Sequence, residues 1–468
     1  MRLFIALAAL ILSAFLAGPA AAATCSYPAS AYSAGAPTGV AGGAQPVNDP
    51  IFPEQWGMTQ IKAPAAWARG DRGSGATVAV VDTGVDLVHP DLAANLVAGG
   101  DVTPPADQGC PGPQDENGHG THVAGIIAAV ANNGIGVAGA APAAKVMPVR
   151  VLNAAGEADD PEVIAGIRYA ADHGAKVINL SLGGMQVVGE TPQLNEEMAD
   201  AVKYAFSKGS LVVAAAGNES IPLCSYPAAA ANAVCVGATD RRGAPSAYSN
   251  FPQSSEDAVG VRAPGGAGDP LFCESSEDIW STLWPGGDPC TGAGSLSGYD
   301  TFAGTSMASP HVAGVAALLA AKGLTNSQIL ECLRTTSSNG GSFDPVMGYG
   351  IVDADNATKT CSHETTPDFA GAGGGAAGGT IASAPPSYFK VTARHTKSRR
   401  RIRVTIKSTR AVQVKLRALA RKRGIGRKMV RLRKAGTKRV LVRVKKHRHV
   451  KLRVRWAAAG RKGVVRVR

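Results

Sequence analysis

Apolar runs alternate with amphipathic segments along the larger part of this chain. The continuous apolar runs predict buried strands, and the segments between them have helical spacing. We expect strands at residues 77–81, 144–152, 176–182 and 211–216, and helices at 121–132, 161–173, 196–208 and 306–322. Strands that are apolar throughout and separated by helices predict a parallel sheet covered on both faces. This part of the chain is therefore expected to have an α/β fold with helices on both faces of the sheet.

The pattern changes to a period of two near the C-terminus. Ile402, Val404 and Ile406 alternate with basic or polar residues, and the same alternation recurs at 412–417 and 450–456. Such segments predict half-buried antiparallel strands, six or seven in all. We expect a small all-β sandwich-like domain with a cationic outer surface.

Composition divides the rest of the chain. Residues 1–23 combine Arg2, an apolar run and an alanine cluster, which predicts a secretory signal peptide cleaved near Ala22 or Ala23. An uncleaved membrane anchor is the alternative, because the apolar run is nearly long enough to cross a bilayer. The predicted division continues with a loose leader, the α/β domain, a Gly/Ala-rich linker and the basic β domain, at residues 24–47, 48–366, 367–386 and 387–468.

The net charge of +13 conceals two oppositely charged regions. No Asp or Glu follows Asp368, and 32 of the 48 Lys and Arg residues lie from Lys390 onward. Before Lys390, 16 basic residues stand against 35 acidic ones, a net charge of −19. A basic region without acids repels itself and favours a polyanionic partner. A soluble domain with a solvated charged face remains the alternative.

The eight cysteines fit an exported protein, because none forms a C-x-x-C pair and their number is even. Short loops suggest two disulfides, a third would close the end of the α/β domain, and elimination leaves the fourth. The predicted pairs are Cys224–Cys235, Cys273–Cys290, Cys332–Cys361 and Cys25–Cys110.

Three polar residues occupy positions suited to acyl-transfer chemistry. Asp82 directly follows a predicted strand, and active sites of open parallel sheets form at such ends. His119 lies between two glycines just before a helix, although His122 is also a candidate from the residues alone. Ser306 begins a helix, where the backbone N–H and the helix dipole favour negative charge. Each also has an ordinary structural alternative, a turn cap, a packed histidine and a helix N-cap.

A fourth run, V-V-A-A-A-G-N, ends at Asn218 after an apolar strand. An amide at that point can donate to an oxyanion beside the N–H of Ser306.

The four runs V-A-V-V-D-T-G, H-G-T-H-V-A-G, A-A-A-G-N and G-T-S-M-A-S-P together resemble the subtilisin-like serine proteases, or subtilases. The resemblance covers about residues 48–355. It implies a triad of Asp82, His119 and Ser306 with Asn218 completing an oxyanion hole, and it favours His119 over His122. An α/β-hydrolase esterase would instead show G-x-S-x-G and the order Ser, Asp, His.

The resemblance also implies a peptide-binding cleft in which substrate adds as a strand between two edges. One edge would be Ser181, Leu182 and Gly183, the other Gly156, Glu157 and Ala158, and the primary pocket Ala215, Ala216 and Gly217. Four acids, Glu219, Glu157, Asp159 and Asp160, suggest tolerance of, or preference for, basic substrate side chains. Solvated loop acids are an equally good explanation.

A structural Ca²⁺ is the cofactor that the resemblance implies. The runs N-D-P-I-F, H-P-D-L and N-N-G-I-G-V match the family's strong calcium site. Hard oxygen donors of this number suit Ca²⁺. The implied ligands are the side chains of Asp49, Asp91 and Asn133 and the carbonyls of Ala131, Ile135 and Val137.

We therefore expect a secreted, monomeric serine endopeptidase that cleaves proteins or peptides through an acyl-enzyme. Its basic domain would bind an anionic cell-envelope polymer, giving a cell-wall-associated enzyme, or the acidic catalytic region itself. No stable nucleic-acid partner is expected, since Tyr388, Phe389 and Trp456 are the only aromatic residues there for base stacking. The alternative is a polyanion-binding envelope protein whose protease domain serves only local processing. Residues 265–296 look like an insertion in the protease domain.

Overall fold

Seven short, almost entirely buried segments form one parallel sheet. In this computed structural model the described residues are 25, 27, 29–32, 47–183, 192–251, 258–268, 277–286 and 298–369, and the backbone of seven strands between 389 and 466. The strands of the parallel sheet are β1 (Thr77–Asp82), β2 (Gly100–Asp101), β3 (Lys145–Arg150), β4 (Val177–Leu180), β5 (Leu211–Ala215), β6 (Ala233–Thr239) and β7 (Val259–Pro264). Their order is β2-β3-β1-β4-β5-β6-β7, and every pairing is parallel.

Helices cover both faces of this sheet. They are α1 (Trp56–Gln60), α2 (Ala63–Ala68), α3 (His119–Ala128), α4 (Asp160–Asp172), α5 (Pro192–Ser207), α6 (Thr305–Ala321), α7 (Asn326–Thr336) and α8 (Ala354–Thr360). Alternate residues of β1 enter two separate cores. Val78 and Val80 pack with residues of α3 and α6, whereas Ala79 and Val81 pack with residues of α4 and α5. The predicted α/β architecture is confirmed.

The sequence pattern missed five strands of this region, the two-residue β2 among them. Besides β6 and β7, an antiparallel pair forms from β8 (Ile279–Thr282) and β9 (Tyr299–Phe302). Strand β8 lies inside the segment 265–296 that resembled an insertion, yet it is attached to α3. The hydroxyl of Ser281 donates to the carbonyl of His122 at 2.7 Å, and that of Thr282 to the carbonyl of Thr121 at 2.8 Å. This part of the segment is therefore integral to the domain.

The N-terminal segment is attached to the domain rather than loose. The Tyr32 side chain is buried, and its hydroxyl donates to the carboxylate of Asp86 at 2.7 Å. A disulfide joins Cys25 to Cys110, and the rings of Tyr27 and Trp284 form a T-shaped pair with centroids 5.8 Å apart. The expectation of a loose leader is wrong for these described residues. Contacts with distant parts of the chain hold them to the domain, and the sequence has no periodic apolar pattern that would indicate such contacts.

Three of the four predicted disulfides are confirmed. They are Cys25–Cys110, Cys224–Cys235 and Cys332–Cys361, whereas Cys273 and Cys290 lie outside the described residues. In the described part of the chain, no helix has the length and hydropathy that crossing a bilayer requires.

The basic C-terminal region contains antiparallel strands, as the period-two pattern predicts. They are β10 (Phe389–His395), β11 (Arg401–Ser408), β12 (Val412–Ala420), β13 (Arg423–Leu432), β14 (Gly436–Arg443), β15 (Leu452–Ala458) and β16 (Arg461–Arg466). Two sheets result, with the orders β10-β11-β14 and β13-β12-β15-β16. Residues 1–24 and 370–388 lie outside the described residues, so the signal peptide and the linker stay predictions.

Candidate active site

Asp82 and His119 form a hydrogen-bonded pair at the carboxyl end of β1. Asp82 is the last residue of the strand and is fully buried, whereas His119 is the first residue of α3 and remains partly exposed. The Nδ1 of His119 lies 2.7 Å from the Oδ1 of Asp82. Because Nδ1–H donates to the carboxylate, Nε2 is the nitrogen left to accept a proton.

The surroundings of His119 also favour its charged form. Burial opposes the imidazolium, but the charge and hydrogen bond of Asp82, with a further contribution from the charge of Asp115, raise the pKa of His119 above its usual value. A carboxylate that stabilises an imidazolium in this way suits a base that must take up a proton during reaction.

Steric constraints explain why glycines flank His119. Gly118 has φ +107°, a conformation that L-residues with a Cβ rarely adopt. A Cβ at Gly120 would lie 2.1 Å from the carbonyl oxygen of Gly84. Only glycine therefore lets the start of α3 approach the turn that follows β1.

Asp115 joins the same two elements and was missed by the sequence reasoning. Its buried carboxylate accepts the hydroxyl of Thr83 at 2.8 Å, the N–H of Gly118 at 3.0 Å and both the N–H and hydroxyl of Thr121. Thr83 follows Asp82 directly, so Asp115 ties the end of β1 to the start of α3. The sequence signal that could have indicated Asp115 was a carboxylate four positions before His119, but the interpretation relied on the glycines beside His119 instead.

Ser306 lies in the first turn of α6, opposite β4. Its hydroxyl donates to the carbonyl of Ser181 at 2.9 Å, and the hydroxyl of Ser181 donates to the carbonyl of Ser306 at 2.7 Å. In the described structure the Ser306 hydroxyl thus points to Ser181 rather than to His119. Both Ser306 and His119 nevertheless line one cleft.

Asn218 follows β5 and is oriented by Thr305. Its Oδ1 accepts the N–H of Thr305 at 2.9 Å and the Thr305 hydroxyl at 2.9 Å. The Thr305 hydroxyl in turn accepts the N–H of Gly217 at 3.1 Å. Because these bonds fix the oxygen of the Asn218 amide, the NH₂ group of that amide is the hydrogen-bond donor beside the start of α6. Thr305 was also missed, although it directly precedes Ser306 in the sequence.

The cleft has a volume of about 530 Å³ and contains almost every residue expected to bind substrate. Those lining it are Gly156, Glu157, Ala158, Ser181, Leu182, Gly183, Ala215 and Gly217, together with His119, Asn218, Thr305 and Ser306. Ala216 corrects the expectation: it is fully buried in the core under α4 and α5 and does not line the cleft. The reason is that successive residues of an extended segment face opposite sides.

The described lining of the cleft is acidic. Glu157, Asp160 and Glu219 contribute carboxylates, and no Lys or Arg occurs among the described lining residues. Glu219 accepts a bond from the Asn250 side chain at 2.7 Å. Asp159 lies in a neighbouring groove, which Glu157 also lines.

His122 has a different environment from His119. It is fully buried, its ring stacks on Phe302 with centroids 4.3 Å apart, and its Nε2 lies 3.2 Å from the carbonyl of Asp300. Burial lowers the pKa of His122 to about 3. The geometry thus brings His119 to Asp82 and leaves His122 in the core.

The residues expected to bind calcium also converge. Asp49 accepts the N–H groups of Asn132 and Asn133, and Asp91 accepts the Asn133 amide at 2.7 Å and the N–H of Val137 at 3.0 Å. Asp49 and Asp91 are buried, and burial raises the pKa of Asp91 to about 7. Ala131 and Ile135 lie on the same loop. No group of three or more His, Cys, Asp or Glu suited to a metal occurs in the described part of the chain.

Comparison with known proteins shows the family to which this chain belongs. Residues 73–351 match the model of the subtilase family. Thermitase from Thermoactinomyces vulgaris is 43% identical over 313 residues, which cover 67% of this chain and 99% of thermitase. Subtilisin Savinase from Lederbergia lenta is 41% identical over 306 residues, covering 65% of this chain and 98% of that protein.

A solved structure is also similar. A protease from Pseudoalteromonas arctica PAMC 21717 has a TM-score of 0.58 and 34% identity, covering 67% of this chain and 99% of the other. With more than half of its residues matched by the family model, this chain belongs to the subtilase family and is a subtilisin-like serine endopeptidase.

Proposed function

We propose that Asp82, His119 and Ser306 are the catalytic triad of this endopeptidase. The observation that carries the proposal is the 2.7 Å contact between Asp82 and His119, which lines the same cleft as Ser306. His119 acts as the general base for the Ser306 hydroxyl, and Asp82 holds the imidazole in one tautomer and stabilises the imidazolium.

Substrate binding releases the nucleophile in this proposal. A peptide that adds as a strand along Ser181, Leu182 and Gly183 donates a backbone N–H to the Ser181 carbonyl. That carbonyl now accepts the Ser306 hydroxyl at 2.9 Å. Displaced from it, the hydroxyl turns toward Nε2 of His119, so substrate itself completes the triad.

The reaction then proceeds through an acyl-enzyme. Ser306 Oγ attacks the peptide carbonyl while His119 takes its proton, and His119 returns that proton to the leaving amine. The negative charge on the tetrahedral oxygen is met by the amide NH₂ of Asn218 and the N–H of Ser306. Water, deprotonated by His119, hydrolyses the ester and regenerates the hydroxyl.

A burst experiment tests this assignment. With a p-nitrophenyl ester in excess, we expect one rapid equivalent of nitrophenolate per active molecule, followed by slower turnover. The Ser306→Ala variant should show no burst, whereas Ser309→Ala, a matched serine in the same helix, should retain it. A burst that survives in Ser306→Ala would assign the nucleophile to another residue.

For specificity, we propose a preference for basic substrate side chains. The support is the acidic lining, with carboxylates of Glu157, Asp160 and Glu219 and no described Lys or Arg. Peptide-library profiling should show enrichment of Lys and Arg near the cleaved bond, reduced in Glu157→Gln and Glu219→Gln. Strict selection of acidic or small residues would refute the preference and leave these acids as solvated loop residues.

We further propose that Ca²⁺ stabilises the loop between Asp91 and Val137. Two buried carboxylates, Asp49 and Asp91, fit a hard divalent cation that offsets their charge. Asn133 and the carbonyls of Ala131, Ile135 and Val137 are the remaining donors. Titration of EDTA-treated protein with CaCl₂, followed by calorimetry, should give one site that Asp91→Asn removes.

For localisation, we propose export with removal of residues 1–23 and a monomeric state. The three disulfides support an oxidising compartment. N-terminal sequencing of secreted protein should begin at Ala23 or Thr24, and light scattering should give the mass of one chain. Recovery with Met1 retained in the membrane fraction would favour the anchor instead.

The basic region, we propose, binds an anionic polymer of the cell envelope. Its 32 Lys and Arg residues without an acid support this. Full-length Ser306→Ala protein should be retained on a polyphosphate resin and eluted by salt, more strongly than on DNA-cellulose. Salt-independent behaviour would leave only a solvated domain, and tighter DNA retention would indicate nucleic acid. If envelope binding persists while no extracellular protein substrate is cleaved, the alternative of a polymer-binding protein with only local processing activity applies.

A further inference from the structure

Strand register places most of the Lys and Arg residues of the three-stranded sheet on one face. Directly opposed residues of antiparallel strands share a face, and successive residues alternate between faces. Register therefore groups Lys390, Arg394, Arg403, Arg439 and Arg443 on one face of β10-β11-β14. The opposite face contains Val391, Val404, Ile406, Val440 and Val442, with Lys438 opposite Ile406. This sheet has one cationic and one largely apolar face.

The four-stranded sheet has the same division. Its pairings group Lys415, Arg417, Arg427, Arg453 and Arg455 on one face. The opposite face is largely apolar, with Val414, Leu416, Val430, Val454 and Trp456, although Lys428 and Arg461 also lie on it. The two cationic faces thus belong to different sheets.

Each cationic face contains like charges in directly opposed positions. Arg394 is opposite Arg403, and Arg401 is opposite Arg443. Arg417 has Arg427 opposite on one neighbouring strand and Arg455 on the other. Opposed like charges destabilise a sheet, and no Asp or Glu follows Asp368 to offset them. Both faces therefore favour an anion supplied from outside the region.

The apolar faces indicate how the two sheets are arranged. Strand β10 approaches β16 and β13 approaches β14, so the sheets are neighbours. An apolar face must be covered, and two such sheets cover each other when they pack face to face. The cationic faces then lie on opposite sides of the pair.

We propose that the basic region is two-sided, with one binding face for a linear polyanion on each sheet, so that one molecule bridges two anionic polymer chains. This inference rests on the proposed binding of an anionic envelope polymer and extends it. Arginine, which accounts for 20 of the 32 cations, pairs bidentately with phosphate oxygens. The polymer class is therefore one with phosphate along its length.

A sandwich capture experiment tests the bridging. Full-length Ser306→Ala protein is bound to surface-attached linear polyphosphate at low salt, and fluorescent polyphosphate is then added. The expected result is capture of about one labelled chain per bound molecule, as two equivalent faces require. Light scattering of the protein alone checks that bridging does not come from dimers.

Two face variants and a control locate the effect. One variant is Arg394→Gln, Arg403→Gln and Arg439→Gln, and the other is Lys415→Gln, Arg417→Gln and Arg427→Gln. Each should still bind the surface polymer but capture roughly tenfold less labelled chain, since several phosphate contacts are lost from one face. The control, Arg399→Gln, Arg410→Gln and Lys434→Gln, removes three cations between the strands and should capture normally.

The outcomes separate this inference from the polymer binding itself. Surface binding without capture in the unsubstituted chain would overturn the two-sided arrangement while leaving polymer binding intact. Capture retained by either face variant, or lost equally in the control, would also overturn it. Absence of any surface binding would refute both proposals, and capture of polyuronate in preference to polyphosphate would refute the phosphate assignment.

Discussion

The acidic protease region and the basic C-terminal region use charge in opposite ways. In the protease region a few buried groups, such as Asp82 and Asp115, each make defined hydrogen bonds at the ends of strands. In the basic region many cations repeat along antiparallel strands, and the sequence of this region contains no Asp or Glu to pair with them. A single substitution should therefore greatly reduce activity in the protease region but hardly change binding by the basic region. In the basic region the effects of several substitutions add up and depend on salt.

The largest expected contrast comes from Asp82→Asn. An Asn in this position leaves the shape of the site but disturbs the His119 tautomer, so kcat should fall by roughly 10⁴-fold. Steady-state hydrolysis of a chromogenic peptide measures it. Retention on polyphosphate should stay unchanged, because the charge of the basic region is untouched.

Asp101→Asn is the matched control for that prediction. Asp101 is also a carboxylate at the end of a strand, β2, but among the described residues its side chain bonds only to Thr103, and it is not one of those lining the cleft. Its kcat should be close to that of the unsubstituted protein. Equal losses in the two variants would mean that the Asp82 effect is structural rather than catalytic.

Asn218→Leu should have the next largest effect. Loss of one oxyanion donor is expected to lower kcat by about 10²–10³-fold with little change in KM, a magnitude measured in subtilisin, a relative of this chain. Thr305→Val should give a smaller loss because it removes a bond that orients the amide, and Thr305→Ser should restore it. A rise in KM alone would contradict the assignment to the transition state.

Removal of calcium should affect stability more than chemistry. At a calcium concentration a hundredfold above Kd, binding to the folded state contributes about 2.7 kcal/mol. EDTA should therefore lower the Tm of the protease region, and Asp91→Asn should abolish the difference between EDTA and calcium. Asp159→Asn is the control, because Asp159 is an exposed acid outside the proposed calcium site. An unchanged Tm on chelation would rule out the proposed metal.

Asp115→Asn should produce the smallest of these effects and a distinct pH signature. The reaction requires neutral His119, and the charge of Asp115 contributes to its raised pKa. Removing that charge lowers the pKa, so the acid limb of kcat/KM should move to lower pH. Loosened positioning of α3 should also reduce the plateau roughly tenfold. A limb that stays in place or moves to higher pH would contradict this role.

Sequence patterns were sufficient where local rules govern the structure. The apolar runs of β1, β3, β4 and β5 are continuous, and the glycines beside His119 are demanded by a positive φ at Gly118 and a close approach at Gly120. The antiparallel strands of the basic region followed from strict alternation. The triad itself came from the resemblance, since the residues alone left His119 and His122 open.

Other features depend on contacts that no local pattern encodes. Strand β7 contains a fully buried Arg262, whose guanidinium donates to the carbonyls of Ala238 and Val346, so its sequence does not look like a strand. Tyr32 is buried through a bond to Asp86, far along the chain. Asp115 and Thr305 act through hydrogen bonds to neighbouring segments, which become visible only once those segments are folded together.

In the proposed mechanism, Ser306 is the nucleophile and is activated by His119 and Asp82. Labelling with a serine-directed fluorophosphonate, followed by peptide mass mapping, tests it most directly. We expect one adduct, on the peptide that contains Ser306, and no labelling of Ser306→Ala protein that retains the Tm of the unsubstituted protein. Labelling that persists in this variant, or an adduct on another serine, would contradict it.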